Sequence, residues 1–387
     1  MRYSRLDLNI IDRLISLFSQ SKINKKKHAD RILRQLDLIG IDTTNQHKEI
    51  IDLYINHLNS DITTNLGRRI HLILSSLSLK EGIKFARTSI QESKETLDPL
   101  FVIGLPRSGT TNIHNLLINN LGYKGFEYWQ LTSPSSIYQN TTLDHLYRKT
   151  RSLLGFYLYR YFVPSIQKMH KVKMSTYEEC WHFQKTMFLC YNYVIQLNFF
   201  KFEDFLLNID TSIIHRQYKR LIQNNSKLNE IYALKCPDHM MSLSAIHQVF
   251  PDSDIVWIHR DPYDSLISYC SMVNSVWELF FGITDKKEVG MFVLELFDRM
   301  LKNTIDYRSQ KNNSIVDVNY NELINNRQKV IGELSKKLNM DIFASGNNIE
   351  TQFFKNKHNN KYDYGISRQE VSDKLYYYKE EFSNYLK

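Results

Sequence analysis

The sequence predicts a three-layer α/β fold, a central parallel sheet with helices on both faces, preceded by a helical N-terminal extension. Three observations predict it. Four short apolar runs, LFVI at 100–103, IYALK at 231–235, DIVWIHR at 254–260 and SIVDVNY at 314–320, are each followed by turn and helix signals. Strands that alternate with helices pair in parallel and carry their ligands at their carboxyl ends. Residues 4 to about 95 show apolar spacing of helical period only, and one glycine-rich stretch joins the first strand to a helix.

In chain order, Leu6, Ile10, Ile11, Leu14, Ile15 and Phe18 share one helical face, as do Ile32, Leu33 and Leu36, then Ile50, Ile51, Tyr54, Ile55 and Leu58. These give a helical extension over 1–96 and an α/β domain over 97–387. Asp98-Pro99 marks the change, and LFVIG runs into GLPRSGTT. Ile113, Leu116, Leu117 and Leu121 then define a helix that Gly122 stops. Residues 135–230 read as an aromatic-rich helical insertion, for example FYLYRYFV and CWHFQKTMFLCYNYVIQLNFF. After the third strand, Asp261 is a good N-cap and Pro262 suits the first helical position. The fourth strand leads into NELINNRQKVIGELSKKL, one long helical pattern. No internal repeat or low-complexity linker is found.

Composition sets bounds on function. Hydrophobic content of 42% and charged content of 24% are those of a folded globular chain. The four cysteines, Cys180, Cys190, Cys236 and Cys270, form no CxxC pair, which argues against zinc and disulfides and for a reducing compartment. Cys180 and Cys190 read as buried apolar residues. The opening run is broken by Asp12 and Arg13, which is amphipathic and unlike a signal peptide, and no stretch nears eighteen apolar residues. A cytoplasmic protein without a membrane span is expected. The net charge of +9 admits nucleic acid, an anionic membrane surface or a polyanionic small molecule. KINKKKHADR at 22–31 is the densest basic run and reads as a solvated helix start.

GLPRSGTT nearly matches the phosphate-cradling GxxxxGK[ST] loop, giving a P-loop-like fold in which threonine stands where lysine should. Glycines let backbone N–H groups approach an anion, and the following helix adds its positive end, so Ser108, Gly109, Thr110 and Thr111 can hold a phosphate without that lysine. A metal-dependent phosphoryl-transfer enzyme also needs an acid at a neighbouring strand end. The third strand ends in His259 and Arg260, which favours a second anionic group over a metal. Ser268, two helical turns further on, can join Arg260 in gripping it.

Together these stretches resemble the sulfotransferases that use 3′-phosphoadenosine 5′-phosphosulfate (PAPS). RSGTT at Arg107 to Thr111 is similar to the family's 5′-phosphosulfate loop, and Arg260 with Ser268 to its 3′-phosphate pair. LKCPDHMMSLSAIHQVFPDSDIVWIHRDP resembles the LK-x-P-x-H segment of the bacterial-type branch, and NKHNNKYDYGIS its closing segment. The resemblance spans about 98–370. It implies in-line sulfuryl transfer from PAPS to a hydroxyl or amine, without a metal, on a small-molecule or lipid acceptor.

The resemblance also supplies catalytic candidates. Arg107 and Thr110 would bind the phosphosulfate and stabilise the leaving group, and Lys235 would reach the sulfate edge or else be a surface lysine. For the base, His239 ranks first, since the cytosolic branch has a histidine after its LK strand, and an imidazole titrates near neutrality. Glu127, twenty residues after Arg107, ranks second. The bacterial-type W-E-x-x-x-P is here Trp129, Gln130 and Pro134, with glutamine in place of the acid. His170 and Glu179 are further candidates, with a helix-start or ion-pair role the simpler explanation. The aromatic helices over 150–205 offer either an apolar acceptor pocket or core packing. Two other classes stay open: a P-loop nucleotide-dependent kinase, and a nucleic-acid-binding protein, for which no recognition helix or aromatic sheet motif is present. The acceptor and the oligomeric state are not readable.

Overall fold

In the computed structural model, the structure describes residues 25–88, 97–138, 140–162, 173–198, 201–310, 315–343 and 363–386. The amphipathic start, His170 and most of NKHNNKYDYGIS lie outside them. Three helices come first: α1 (Lys25–Leu38), α2 (Asn45–Leu58) and α3 (Asn65–Ala86). Strand β1 (Leu100–Ile103) leads into α4 (Thr110–Asn120). Six helices follow: α5 (Tyr128–Thr132), α6 (Thr141–Phe162), α7 (Trp181–Gln184), α8 (Asn192–Leu197), α9 (Lys201–Asn208) and α10 (Ser212–Asn225). Then come β2 (Ala233–Lys235), α11 (Leu243–Val249), β3 (Ile255–His259), α12 (Pro262–Phe281), α13 (Lys286–Gln310) and β4 (Ile315–Asn319). Helices α14 (Tyr320–Asn325), α15 (Arg327–Lys337), α16 (Arg368–Lys374) and α17 (Tyr376–Glu381) close the chain.

The four strands form one parallel sheet in the order β2-β1-β3-β4. Alternate residues of β1 and β3 serve opposite layers, as a strand's period of two requires. Phe101, Ile103, Ile255 and Trp257 enter a large core with the N-terminal and central helices. Leu100, Val102, Val256 and Ile258 meet Ile113 and Leu117 of α4 and Val330, Ile331 and Leu334 of α15 on the other face. The three layers are those the sequence predicts.

The expected apolar face of α2 is buried, and its Tyr54 ring contacts Phe188, Tyr193 and Phe202. The N-terminal helices therefore share one core with the central helices. Gly82 of α3 marks the closest approach, since a Cβ there would lie 1.8 Å from the Thr186 carbonyl oxygen. Asp261 caps α12 by accepting from Asp264 N–H (3.0 Å), with Pro262 in the first turn. One element differs. The pattern after β4 reads as a single helix, but Asn326 (φ −132°, ψ 50°) divides it into α14 and α15. The break lets Leu323 and the Val330-Ile331-Leu334 face pack against the same side of the sheet.

Candidate active site

The exits of β1, β2 and β3 lie side by side, so the loops that leave them meet. After β1 the backbone turns through three positive φ angles, at Gly104 (151°), Arg107 (71°) and Gly109 (100°). The glycines are required: a Cβ at Gly104 would lie 2.7 Å from Ser108 Oγ, and one at Gly109 2.7 Å from the Tyr320 ring. Gly109 is the N-cap of α4, so the first amides of that helix have no preceding carbonyl to bond. Ser108 Oγ is buried without a hydrogen-bond partner among the described residues. A buried orphan hydroxyl beside open helix amides is the arrangement a phosphate or sulfate oxygen completes.

Arg260 follows directly from β3, the neighbour of β1. Its Nη1 donates to the Arg107 carbonyl (2.7 Å), and its guanidinium stacks 4.5 Å from the centre of the Tyr320 ring. Arg107 Nε in turn donates to Oγ of Ser268, which is buried on α12 (3.1 Å). The loop, Arg260 and Ser268, far apart in sequence, thus form one contiguous surface. Burial lowers the Arg107 pKa, Glu179 opposes the shift and Arg260 adds to it. A non-glycine residue held at positive φ, with a second guanidinium on its carbonyl, is strain maintained by its surroundings.

Lys235 ends β2, paired in register with Val102 of β1, and its side chain is fully buried. Its ammonium donates to Thr111 Oγ1 (3.3 Å) and to Glu179 Oε1 (3.1 Å). Glu179 is brought there by its own segment, whose Glu178 N–H bonds Phe126 O (3.1 Å) and whose Cys180 N–H bonds Lys235 O (3.0 Å). The Trp181 indole N–H donates to the other Glu179 oxygen (3.1 Å). Asp238, just beyond β2, has its pKa raised to about 7, by burial and then by Glu179.

The other proposed bases do not join this cluster by hydrogen bonds. After β2, Pro237 opens a 3-10 turn (Pro237–Met241) that turns His239 back into the core. There its ring sits edge-on to Phe101 (5.0 Å), with both nitrogens buried and without a hydrogen-bond partner among the described residues, and burial lowers its pKa to about 3. Glu127 receives the Trp129 indole N–H and heads α5, where Gln130 Oε1 accepts from its backbone N–H (2.8 Å). His259 also turns away from the loop, bonding Asp317 Oδ1 and Tyr378 Oη (both 3.0 Å). Among the residues not singled out from sequence, Trp181, Asp238 and Tyr320 frame the site. For Asp238 the signal was its place beside His239; for Tyr320 there was none.

The cluster combines two guanidinium groups on the glycine turn with a carboxylate held between an ammonium and an indole. Such a set can bind a polyanion and accept a proton from a group beside it. A sequence profile of the sulfotransferase family matches residues 99–344. The fold is similar to the crystal structure of the sulfotransferase STF9 from Mycobacterium avium (TM-score 0.71, 19% identity, 91% of this chain and 96% of that chain covered). It is also similar to the sulfotransferase STF1 from Mycobacterium tuberculosis H37Rv (TM-score 0.63, 19% identity, 89% and 97% covered). No curated protein matches the chain significantly in sequence.

Proposed function

The chain belongs to the sulfotransferase family, and from that premise we propose that it transfers a sulfuryl group from PAPS to a hydroxyl of a small-molecule or lipid acceptor. The observation that carries this reading is the convergence of Arg107, Arg260 and Ser268 on the glycine turn. Ser108 to Thr111 would hold the 5′-phosphosulfate on the amides of α4. Arg260 and Ser268 would hold the 3′-phosphate, supported by Arg107 between them. The orphan hydroxyl of Ser108 fits such a ligand.

In the transfer the bond from sulfur to the bridging oxygen breaks as the bond from sulfur to the acceptor oxygen forms, and the acceptor proton passes to a base. Lys235 and Arg107 would stabilise the charge left on the departing oxygen, with Thr111 beside the Lys235 ammonium. We assign the base to Glu179. Its oxygens accept from the Lys235 ammonium and the Trp181 indole, which hold the carboxylate beside the loop. His239 and Glu127, first and second choices from sequence, serve this role less well. One is sealed in the core with its pKa lowered to about 3, and the other forms no hydrogen bond with Lys235 or the loop among the described residues. The 1–96 extension and the 135–230 insertion together would wall the acceptor side.

Thermal unfolding with 3′-phosphoadenosine 5′-phosphate or ADP, each with and without magnesium, tests the donor assignment. Stabilisation by the 3′-phosphorylated nucleotide alone, independent of magnesium, is expected. Stronger stabilisation by ADP with magnesium would overturn it in favour of the kinase reading.

A further inference from the structure

We propose that the acceptor carries an anionic group, a carboxylate or its equivalent, and that Lys185 receives it. This rests on the acceptor side of the reading above and narrows the substrate class. Lys185 opens the 3-10 turn (Lys185–Met187) after α7 and is only 9% exposed. Among the described residues no carboxylate pairs with it. Its ammonium lies 5.2 Å from the centre of the Trp181 ring and 5.9 Å from that of Tyr193. Such contacts offset only part of the cost of burying an unpaired ion. The rings alone therefore do not account for a cation at this place.

What lies beside it does. A small groove of about 90 Å³ runs between α3, α5, α6 and α7, with Leu74, Leu77, Tyr128 and Trp181 as apolar walls and Lys185 on its lining. Lys80 and Arg151 also line it, and its one acid, Glu81, is paired with Arg151. An apolar groove with a few convergent polar groups is the usual form of a small-molecule site, and the surplus charge here is positive. Trp181 joins the groove to the transfer cluster: its ring faces Lys185, and its indole N–H bonds Glu179. An acceptor lying along that indole would present its hydroxyl to Glu179 and its anion to Lys185. The matching class is a compact apolar molecule with a hydroxyl at one end and an acid at the other.

The test compares 3-(4-hydroxyphenyl)propionate with its methyl ester, binding being read by calorimetry without nucleotide, so a failed donor assignment leaves the readout intact. The wild-type protein is expected to bind the acid at least about tenfold more tightly than the ester, as a charge-assisted bond implies. Lys185→Met should abolish that preference and Lys185→Arg should keep it, while Lys48→Met, exposed on α2 outside the groove, should leave it unchanged. Equal affinity for acid and ester in the wild type overturns the proposal. So does a preference that survives Lys185→Met, or one lost in Lys48→Met. If Lys185→Met fails to fold, the wild-type comparison decides. Binding of neither probe, in protein that 3′-phosphoadenosine 5′-phosphate still stabilises, overturns the acceptor class and spares the donor reading.

Discussion

Two charged clusters stand at opposite edges of the sheet, and they are built differently. At the β4 edge, Asp317 receives both Arg308 Nη atoms (2.7 Å each) and His259 (3.0 Å), whose other nitrogen meets Tyr378 Oη. Every ring nitrogen and carboxylate oxygen there has a partner. Burial pushes the His259 pKa down and Asp317 pushes it back up, while His259 and Arg308 hold the Asp317 carboxyl below its usual range. At the β1–β2 exits the accounts stay open: among the described residues Ser108 Oγ and Asp238 Oδ2 are buried without a hydrogen-bond partner. A closed polar network fixes structure, whereas one with missing partners keeps room for a ligand.

The comparison can be broken experimentally. The largest effect is expected at the open edge, where Glu179→Gln should lower turnover by about 10²–10⁴-fold, the usual range for a lost general base. Its affinity for 3′-phosphoadenosine 5′-phosphate should stay within about threefold, since the carboxylate is not part of the anion grip. Initial rates with a phenolic acceptor and calorimetry check both, and full turnover in Glu179→Gln with loss in His239→Ala would return the base to His239. At the closed edge the order reverses. Asp317→Ala should cost about 3–5 kcal/mol of stability in denaturant melts, because it strands Arg308 and His259, with nucleotide affinity of the folded protein unchanged.

Next in size, Arg260→Ala and Ser268→Ala should each weaken 3′-phosphoadenosine 5′-phosphate binding, Arg260→Ala by about 10–100-fold, with little change for ADP. Unchanged calorimetric affinity in both variants would remove the 3′-phosphate assignment. The smallest effect concerns Asp238. Its folded pKa of about 7 lies above its ordinary 3.8, so between these values the folded state binds more protons than the unfolded one. Stability contributed by the protonated carboxyl is therefore lost as pH rises from about 4 to about 7. Asp238→Asn should flatten that fall in melting temperature, and an unaltered pH profile would show that Asp238 does not cause it.

The sheet and the convergence of the loop with Arg260 and Ser268 were legible because their signals are local. Each strand is a short apolar run, and the glycines, Asp261 and Pro262 mark their own backbone geometry. Arg260 and Ser268 were found through their spacing, which the register of β3 beside β1 converts into proximity. Glu179 was visible as an ion-pair candidate, but its partner Lys235 is a long crossover away, and no periodicity links the two. His239 misled for the opposite reason. It is close to Lys235 in sequence, but the turn begun by Pro237 reverses its side chain into the core. Lys185 carried no signal, because a lysine in an aromatic helical stretch reads as a solvated side chain until burial is known.

The contact at Gly82 has a consequence for how the molecule is assembled. With no room for even a methyl group between α3 and Thr186, the turn carrying Lys185 leans on the N-terminal helices. The helical preface is thus a buttress, and a chain begun after residue 96 would lose the α3 wall of the groove that Lys185 lines. Variation at position 82 would be felt as a change in which molecules are accepted, well before it was felt in how the nucleotide is held.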